Sequence, residues 1–374
     1  MYHNIIHLSD IHIRIGDTEK SRYHEYSSVF HNLIHSISSQ ESIREHTAVI
    51  VITGDIFHHK NKLEPCGLEL ALQLLVDLSK LAPVIMIRGN HDYRQDLPKE
   101  PDMISALMKY QLPDVHYFDT TGIHTFQNIH FGVTAIQETL LYGSTSGISS
   151  ELPAFPIPPV KSINSYNVAL FHGSITSCTL QNGMNMSPTI HGYPIEWFGS
   201  SYDTILLGDI HLQQVKRAEM IESKQPDHPF TTPCHSYSYT SDIAPWGYPG
   251  SLIQQDFGET LSGHGYILWN LKEREIHTFH VANPYGFAKL RFNETHDVLE
   301  ILYREISNMS PTYVPLVQLI DKSWFPSNLH VNYTGKVFNH TISQRIEQYF
   351  HTYNKKVLRI NQPVEYDMKA SSVL

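Results

Sequence analysis

The chain has 374 residues, of which 41% are hydrophobic, and a formal net charge of −10 with histidine counted as neutral. This composition argues against disorder and predicts a sizeable core in a chain long enough for two domains. The acidic balance argues against a protein that coats nucleic acid by charge alone. It does not exclude a nuclease, because bound divalent cations would offset part of the negative charge at the site.

Cysteine usage and hydropathy bear on the compartment. Cys66, Cys178 and Cys234 show neither metal-binding nor redox spacing, which predicts a reducing compartment without a disulfide framework. The N-terminal residues do not follow a signal-peptide pattern, and no stretch approaches the ~20 apolar residues that span a membrane. We therefore expect an intracellular protein, cytoplasmic or nuclear, that makes no membrane contact.

The first part of the chain alternates predicted strands and helices. Strands are predicted at Asn4–Leu8, Thr47–Thr53 and Val84–Ile87, and amphipathic helices between them at Arg22–Ser36 and Glu64–Leu81. This β-α-β-α-β order predicts a right-handed, mainly parallel sheet.

From Asp102 onward the predicted elements are shorter. A helix is predicted at Met103–Tyr110, followed by strands at His116–Phe118, His124–Phe126, Ile129–Val133, Tyr166–Phe171, Thr204–Leu207, Gly247–Phe257, Gly265–Asn270 and Glu275–Val281. Residues Gly143–Pro159, rich in Gly, Ser and Pro, predict a surface loop, and Glu219–Pro245 a long loop near the site.

A turn around Asn283–Gly286 predicts a division between residues 1–282 and a small α+β domain at 283–374. The elements predicted for this second domain are Ala288–Phe292 (strand), His296–Ile306 (helix), Val314–Ile320 (strand), Leu329–Tyr333 (strand) and Thr341–Tyr353 (helix).

Polar side chains follow five of the predicted strands. They are Asp10 and His12, Asp55, Asn90, His172, and finally Asp209 and His211. Polar residues at the carboxyl ends of parallel strands gather at one edge of the sheet. One such motif alone would usually be a coincidence, but five in series predict a metal centre. Mixed nitrogen and oxygen ligands suit two ions of the Mn, Fe or Zn kind better than Mg or Ca.

The same residues predict a chemistry. A carboxylate such as Asp55 can bridge two ions ~3.5–4 Å apart, as in sites that activate water for in-line attack on a phosphate. His91 is not needed as a ligand and is predicted to protonate the leaving oxygen. Asp92 is predicted to hold the His91 ring in orientation.

The segments SDIH, GDIF, GNHD, FHG and GDIH together resemble the calcineurin-like metallophosphoesterase superfamily. Two further segments, GDIFHHKNK (Gly54–Lys62) and YPGSLIQQDFGE (Tyr248–Glu259), resemble its SbcD branch, the double-strand-break repair nucleases known in eukaryotes as meiotic recombination eleven. The resemblance implies an α/β sandwich of two mixed β-sheets flanked by helices. It also implies that residues 283–374 form a small capping, DNA-binding domain.

The resemblance also implies roles for individual residues. One metal ion would be held by Asp10, His12, Asp55 and His211, and the other by Asp55, Asn90, His172 and Asp209. His91 would be the acid, and His58 would help to place the DNA phosphate. Manganese is the expected metal, with Mg, Fe or Zn as alternatives. Asp209 stands where the family usually has histidine. It is a harder ligand that keeps the second metal site, or it leaves that site weakened, or it is a carboxylate that only caps the turn.

The function implied by the resemblance is a metal-dependent DNA exo/endonuclease acting at double-stranded or single-stranded DNA ends in repair or recombination. Branch members are homodimers that work with an SbcC-like coiled-coil ABC-type ATPase. In the second domain, Lys289, Arg291, Phe292 and Lys336 are candidates to track a DNA backbone. The alternatives are a small-substrate phosphodiesterase or nucleotidase and a non-catalytic DNA-end scaffold.

Overall fold

The computed structural model describes residues 1–15, 22–94, 100–139, 152–186, 192–223, 233–293, 298–303, 311–334 and 340–361. In chain order the strands are β1 (Asn4–Leu8), β2 (Ala48–Thr53), β3 (Val84–Ile87), β4 (Val115–Tyr117), β5 (Gly122–Phe126), β6 (Ile129–Val133), β7 (Tyr166–His172), β8 (Thr204–Gly208), β9 (Gln214–Lys216), β10 (Glu219–Ser223), β11 (His235–Ser238), β12 (Trp246–Tyr248), β13 (Gly265–Asn270), β14 (Glu275–His280), β15 (Tyr285–Asn293), β16 (Val298–Tyr303), β17 (Thr312–Pro315), β18 (Asn328–Tyr333) and β19 (Lys356–Asn361). The α-helices are α1 (Tyr23–Ser38), α2 (Glu41–Arg44), α3 (Pro65–Ser79), α4 (Met103–Met108), α5 (Ile136–Thr139) and α6 (His340–Thr352), and 3-10 turns lie at Ile195–Phe198 and Leu316–Gln318.

The chain divides into two compact units. Unit 1 comprises Met1–Gln255 and Ser262–Asn283, and unit 2 comprises Asp256–Leu261 and Pro284–Leu374. The short segment 256–261 therefore belongs with the C-terminal unit, whereas the sequence predicted it as part of the first domain. The predicted strand Gly247–Phe257 is also much shorter in the structure, where β12 ends at Tyr248.

Two mixed sheets form unit 1. The larger has the order β10-β11-β14-β13-β1-β2-β3-β4 and the smaller β5-β6-β7-β8-β12-β9. Strands β1 to β3 are parallel, as predicted, and β4 continues the parallel order. Strand β13 pairs antiparallel with β1 and extends the sheet. The predicted class, two mixed sheets flanked by helices, is thereby confirmed.

The sequence of β2 explains why the two sheets pack with helices outside. Successive side chains of a strand point to opposite faces, and both faces of this central strand are apolar. Val49 and Val51 belong to the core between the sheets, where Trp269 is the largest buried side chain. Ile50 and Ile52 belong to the core beneath the helices. A fully buried side chain of this size stabilises by about 1.5–3 kcal/mol.

Helices α1 and α3 cover the outer face of the larger sheet. On α1 the buried residues Tyr26, Val29 and Leu33 recur at intervals of three and four, which places them on one face. Leu70 and Leu74 of α3 repeat this spacing in the same core cluster. Both helices begin and end within two residues of their predicted bounds, because the apolar periodicity is regular.

Two predicted elements are wrong. The segment Glu219–Pro245 contains strands β10 and β11 and is not one long loop. Every residue of β10 is exposed, so the strand carries no apolar alternation that would reveal it. The predicted helix His296–Ile306 contains strand β16, which pairs with β15 and β17. Within β16, Ile301 and Tyr303 are buried in the core of unit 2, and local periodicity does not distinguish such a strand from a helix. Much of the predicted loop Gly143–Pro159 lies outside the described residues.

Unit 2 is a five-stranded sheet of order β17-β16-β15-β18-β19 with helix α6. Ile346 and Phe350 of α6 pack on Leu290, Leu329 and Val331 in a core of their own. Strand β19 was not predicted, and the predicted strand Val314–Ile320 ends at Pro315 and continues as a 3-10 turn.

The expectations about membranes and cysteines can be compared with the described residues. Within those residues, no helix combines the length and apolar character needed to cross a bilayer. Cys66, Cys178 and Cys234 are free thiols, and the last two are buried.

Candidate metal centre

Four of the predicted ligands have a left-handed backbone conformation at the ends of their strands. Asp10, His12, Asp55 and Asp209 have φ values of 52°, 49°, 55° and 93°. Non-glycine residues seldom adopt this region, and Asp and His are among those that do so most readily. Backbone hydrogen bonds hold the first two loops together, from Asp10 N to Gly54 O at 3.1 Å and from His12 N to Asp55 O at 2.9 Å. The loops therefore fix each other's conformation.

Glycines beside these loops let the backbones approach closely. A Cβ atom on Gly89 would lie 2.1 Å from Asp55 Oδ1, and one on Gly208 would lie 2.2 Å from Thr53 O. Because both contacts are far below van der Waals distance, only glycine fits at either position.

A first group of converging donors consists of Asp10, His12 and His211. The Nε2 atoms of the two histidines lie 3.0 Å apart, and His211 Nε2 lies 3.7 Å from Asp10 Oδ1. Asp10 and His12 are buried, whereas the His211 side chain is 26% exposed. The group therefore opens toward solvent on the His211 side.

A second group consists of Asp10, Asp55 and His172, all buried. His172 Nε2 also lies 3.3 Å from Asn90 Oδ1 and 3.9 Å from Asp209 Oδ1. Asp55 Oδ2 lies 3.4 Å from His12 Nε2 and 3.5 Å from His172 Nε2, so this carboxylate stands between the two groups. The structure thus brings all the predicted ligands together, although not at the edge of one sheet as the sequence predicted. Asp10, His12, Asp55 and Asn90 follow strands of the larger sheet, whereas His172, Asp209 and His211 come from the ends of β7 and β8 in the smaller sheet.

Two contacts orient these ligands from outside. His172 Nδ1 donates to the carbonyl of Thr53 at 2.7 Å, which leaves the Nε2 atom to face the carboxylates. Ser174 Oγ donates to Asp209 Oδ2 at 2.7 Å, and the other carboxylate oxygen faces His172. Sequence reasoning missed both partners. The only local signal was a small polar residue shortly after His172.

The electrostatics of the cluster match a site for cations. Burial raises the pKa of Asp10 to about 6 and lowers that of His12 well below its usual range. Burial also pushes the pKa of Asp55 upward, but His172 and His12 outweigh it, so the pKa lies below its ordinary value. Buried carboxylates need a compensating positive charge, and the mixed donor set suits divalent ions. Such ions, when bound, supply Lewis-acid activation of a phosphate ester.

A histidine group lies beside the ligands. His91 N donates to Asp55 Oδ1 at 2.8 Å, and His91 Nδ1 donates to the carbonyl of His58 at 2.6 Å. The bond at Nδ1 leaves Nε2 as the atom at which His91 can give or take a proton. The His58 ring stacks on His91 at a centroid distance of 5.3 Å. His12, His58 and His91 form a third cluster of converging nitrogens.

Arg14 was not singled out by the sequence. Its guanidinium donates to His58 Nε2 at 3.3 Å and to the backbone carbonyl of Gln255. Burial, with Arg14 and His91 adding to it, lowers the pKa of His58 to about 4. A neutral His58 that accepts from Arg14 is held in one ring orientation beside His91.

Asp92 does not orient the His91 ring as predicted. Its carboxylate accepts from the backbone N–H groups of Asp55 at 2.8 Å, Gly89 at 3.0 Å and Phe57 at 3.2 Å. These bonds brace the loop that carries Asp55. Burial and the Asp55 carboxylate raise the pKa of Asp92 to about 7, against the effect of the N–H donors. The prediction failed because sequence adjacency to His91 does not determine where the side chain points.

A protein-family model described as calcineurin-like phosphoesterase matches residues 3–211, which include every predicted ligand. The chain belongs to this family. Its members are metal-dependent hydrolases, so hydrolase activity and metal binding follow for this calcineurin-like phosphoesterase. The converging donor groups are where the metal would be held.

Individual relatives are more distant. The chain is 31% identical over 289 residues to uncharacterized protein R555 of Acanthamoeba polyphaga mimivirus, covering 77% of this chain but only 19% of that protein. It is 21% identical over 276 residues to 244L of Invertebrate iridescent virus 6, named as a phosphoesterase, covering 73% of this chain and 77% of that one. It is 24% identical over 289 residues to the SbcD component of nuclease SbcCD from Staphylococcus saprophyticus, covering 73% of this chain and 66% of that one.

Proposed function

We propose that this phosphoesterase is a metal-dependent nuclease that hydrolyses phosphodiester bonds at DNA ends in double-strand-break repair or recombination. One observation carries the proposal. The two segments that resemble the SbcD branch, Gly54–Lys62 and Tyr248–Glu259, both contribute residues that contact the metal centre. A phosphoesterase for small substrates would need the ligands, Asp55 included, but not the remainder of these two segments.

The first segment contributes Asp55 and His58. Asp55 stands between the two donor groups, and His58 holds His91 through its backbone carbonyl. His58 thus couples the segment to the residue proposed as general acid. A phosphodiester bound beside these histidines would have its leaving oxygen near a proton donor, which is what strand cleavage requires.

The second segment supports the loop of His211. Ser251 N donates to the carbonyl of His211 at 3.2 Å, and a Cβ atom on Gly250 would lie 2.7 Å from that same carbonyl oxygen. Gly250 has a φ of +78°, which favours glycine. The carbonyl of Gln255 receives the Arg14 guanidinium. The segment therefore positions a ligand and the residue that contacts His58.

The finer parts of the proposal follow from the same likeness. We further propose manganese as the working metal, a homodimer and an SbcC-like ATPase as partner, as the resemblance of Gly54–Lys62 and Tyr248–Glu259 to the SbcD branch implies. The 24% identity to the SbcD component of nuclease SbcCD supports the nuclease part of the proposal. Asp55 would hold both ions, with Asp10, His12 and His211 on one and Asn90, His172 and Asp209 on the other.

The test is cleavage of end-labelled duplex and single-stranded DNA with Mn²⁺, run beside a chromogenic bis-aryl phosphodiester. We expect cleavage of DNA by the wild type and its loss in His91→Asn. Turnover of the chromogenic ester without DNA cleavage would favour the small-substrate phosphodiesterase. DNA binding without turnover of either substrate would favour the non-catalytic scaffold.

A further inference from the structure

Arg14 lies beside the histidine group and follows the ligand His12 by two residues. Its guanidinium Nη1 donates to His58 Nε2 at 3.3 Å, and Nη2 donates to the backbone carbonyl of Gln255. Gln255 is buried, and its side-chain amide donates to the carbonyl of Ile253 at 2.7 Å, so the acceptor of the guanidinium is held in place. Arg14 therefore reaches His58 from a fixed position.

The contact with Arg14 determines which nitrogen of His58 carries the ring proton. An arginine side chain has N–H donors and no acceptor, so His58 Nε2 must accept and cannot itself be protonated. A neutral imidazole carries one proton, which must then lie on Nδ1. In the absence of such a donor, either nitrogen could carry the proton. Arg14 thus makes His58 Nδ1 a hydrogen-bond donor.

The Nδ1 atom of His58 is buried, and none of the residues that the structure describes accepts a hydrogen bond from it. A buried N–H group without an acceptor is costly, and in native proteins such a group usually has a specific role. The rings of His12 and His91 contact the His58 ring at centroid distances of 5.4 and 5.3 Å, so this donor lies among the residues of the metal centre. An oxygen atom of a bound substrate would supply the missing acceptor.

The backbone of His58 is held independently of the Arg14 side chain. His58 N donates to the carbonyl of Ile13 at 3.2 Å, and Ile13 N donates to the carbonyl of Ile56 at 2.8 Å. The His58 carbonyl, which accepts from His91 Nδ1, belongs to this paired stretch. Removal of the Arg14 side chain should therefore release the His58 ring and leave His91 in place.

We propose, resting on the phosphodiester hydrolysis proposed above, that Arg14 is a positioning residue that fixes the tautomer of His58, so that the Nδ1–H group of His58 donates to a phosphate oxygen of the substrate. The acceptor is a non-bridging oxygen, because these oxygens carry the negative charge of a phosphodiester and a charged acceptor strengthens the bond. This charge is present in the bound substrate as well as in the transition state. Loss of the contact should therefore raise KM more than it lowers kcat.

The first measurement is the tautomer of His58, determined by NMR of protein with isotope-labelled histidine in EDTA. The His58 signals are identified by their loss in His58→Asn. We expect the proton on Nδ1 in the wild type and in Arg14→Lys, whose ammonium group also donates, and a redistribution toward Nε2 in Arg14→Met. Arg44→Met, which replaces an exposed arginine at the end of α2, is the matched control and should leave the tautomer unchanged. A proton on Nε2 in the wild type, or an unchanged tautomer in Arg14→Met, overturns the proposal.

The second measurement is turnover of the chromogenic bis-aryl phosphodiester with Mn²⁺. We expect Arg14→Met to raise KM about ten-fold, as for one lost hydrogen bond to a charged group, with a smaller change in kcat. Arg14→Lys should recover most of this loss, and Arg44→Met should behave like the wild type. A wild-type KM in Arg14→Met, despite a changed tautomer, overturns donation to the substrate.

Thermal melting identifies a variant that misfolds, and the tautomer of the wild type tests the proposal without any change at Arg14. The two proposals can also fail separately. If the wild type turns over the chromogenic ester but cleaves no DNA, only the nuclease proposal fails, because neither measurement on Arg14 uses DNA. If DNA is cleaved while the wild-type proton lies on His58 Nε2, only the proposal for Arg14 fails.

Discussion

Units 1 and 2 place their polar residues in opposite ways. In unit 1 the ligands follow the ends of buried strands, and their positions are set by left-handed backbone and close glycine contacts. In unit 2 the polar and basic residues lie within strands and alternate with core positions. The first arrangement fixes atoms relative to one another, whereas the second presents a surface. Single substitutions among the ligands of unit 1 should therefore abolish hydrolysis. Single substitutions on the strands of unit 2 should change only the properties of that surface.

The largest effect is expected for Asp55→Ala. This carboxylate lies within 3.5 Å of ligand nitrogens in both donor groups, so its loss should disrupt both. We expect hydrolysis of a chromogenic phosphodiester to fall by about 10³-fold or more, since metal ions contribute several kcal/mol of transition-state stabilisation. Asp321→Ala, an exposed acid of unit 2, is the control and should leave the rate unchanged. An Asp55→Ala enzyme with normal turnover and metal content would remove Asp55 from the site.

His91→Asn should separate catalysis from metal binding. His91 donates through Nδ1 to His58 O and has Nε2 available for proton transfer, so we expect a loss of ~10²–10⁴-fold in rate. Metal content, measured by elemental analysis, should stay at the wild-type value. A variant that loses its metal would show that His91 is a ligand, and His58 would then be the next candidate for the acid.

A smaller effect is expected from Ser174→Ala, because Ser174 acts on the metal only through Asp209. Partners of this kind typically contribute about 10–100-fold in metal affinity or activity. The half-saturating Mn²⁺ concentration should rise in Ser174→Ala and rise further in Asp209→Ala. Asp209→His should retain activity with a changed metal preference. If Mn²⁺ dependence is unchanged in Asp209→Ala, this carboxylate caps the turn and is not a ligand.

The smallest effect is expected on the stability of the fold at acid pH, and it concerns a buried histidine of unit 1. Burial lowers the pKa of His7 in unit 1 to about 3, from 6.5 in an unfolded chain. The unfolded state then binds the additional proton between these values, so His7 destabilises the fold as pH drops from 6.5 toward 3. At pH 5 this amounts to ~2 kcal/mol. Between pH 7 and pH 5, the melting temperature should decrease less in His7→Asn than in the wild type. An equal decrease in both proteins would show that other groups dominate the loss of stability.

The predicted ligands could be read from the sequence because each follows a short apolar run. Asp10, Asp55 and His172 lie at the ends of such runs, and parallel pairing aligns the strand ends within each sheet. The meeting of the two sets comes from the packing of the two sheets, which no local pattern reports. Arg14 and Ser174 could not be found this way. Their partners are His58 and Asp209, which lie 44 and 35 residues away in the chain, and neither contact leaves a local pattern.

Strands were predicted correctly where both of their faces are buried, and some strands with an exposed face were missed. Strand β2 is apolar on both faces and was found within one residue. Strand β10 is exposed at every position, and β16 shares its apolar spacing with a helix. In both strands the assignment depends on pairing with distant strands, which outweighs local propensity.

The wide separation of the ligands has a consequence for the order in which the protein folds. His12 and His211 come within 3.0 Å although 199 residues separate them. A chain emerging from the ribosome therefore cannot form the first donor group until β8 has been made and both sheets of unit 1 have assembled. Contacts of such range form late and slowly. Metal uptake during synthesis should thus report completion of the unit 1 fold, and nascent chains ending before β8 should not retain the ion.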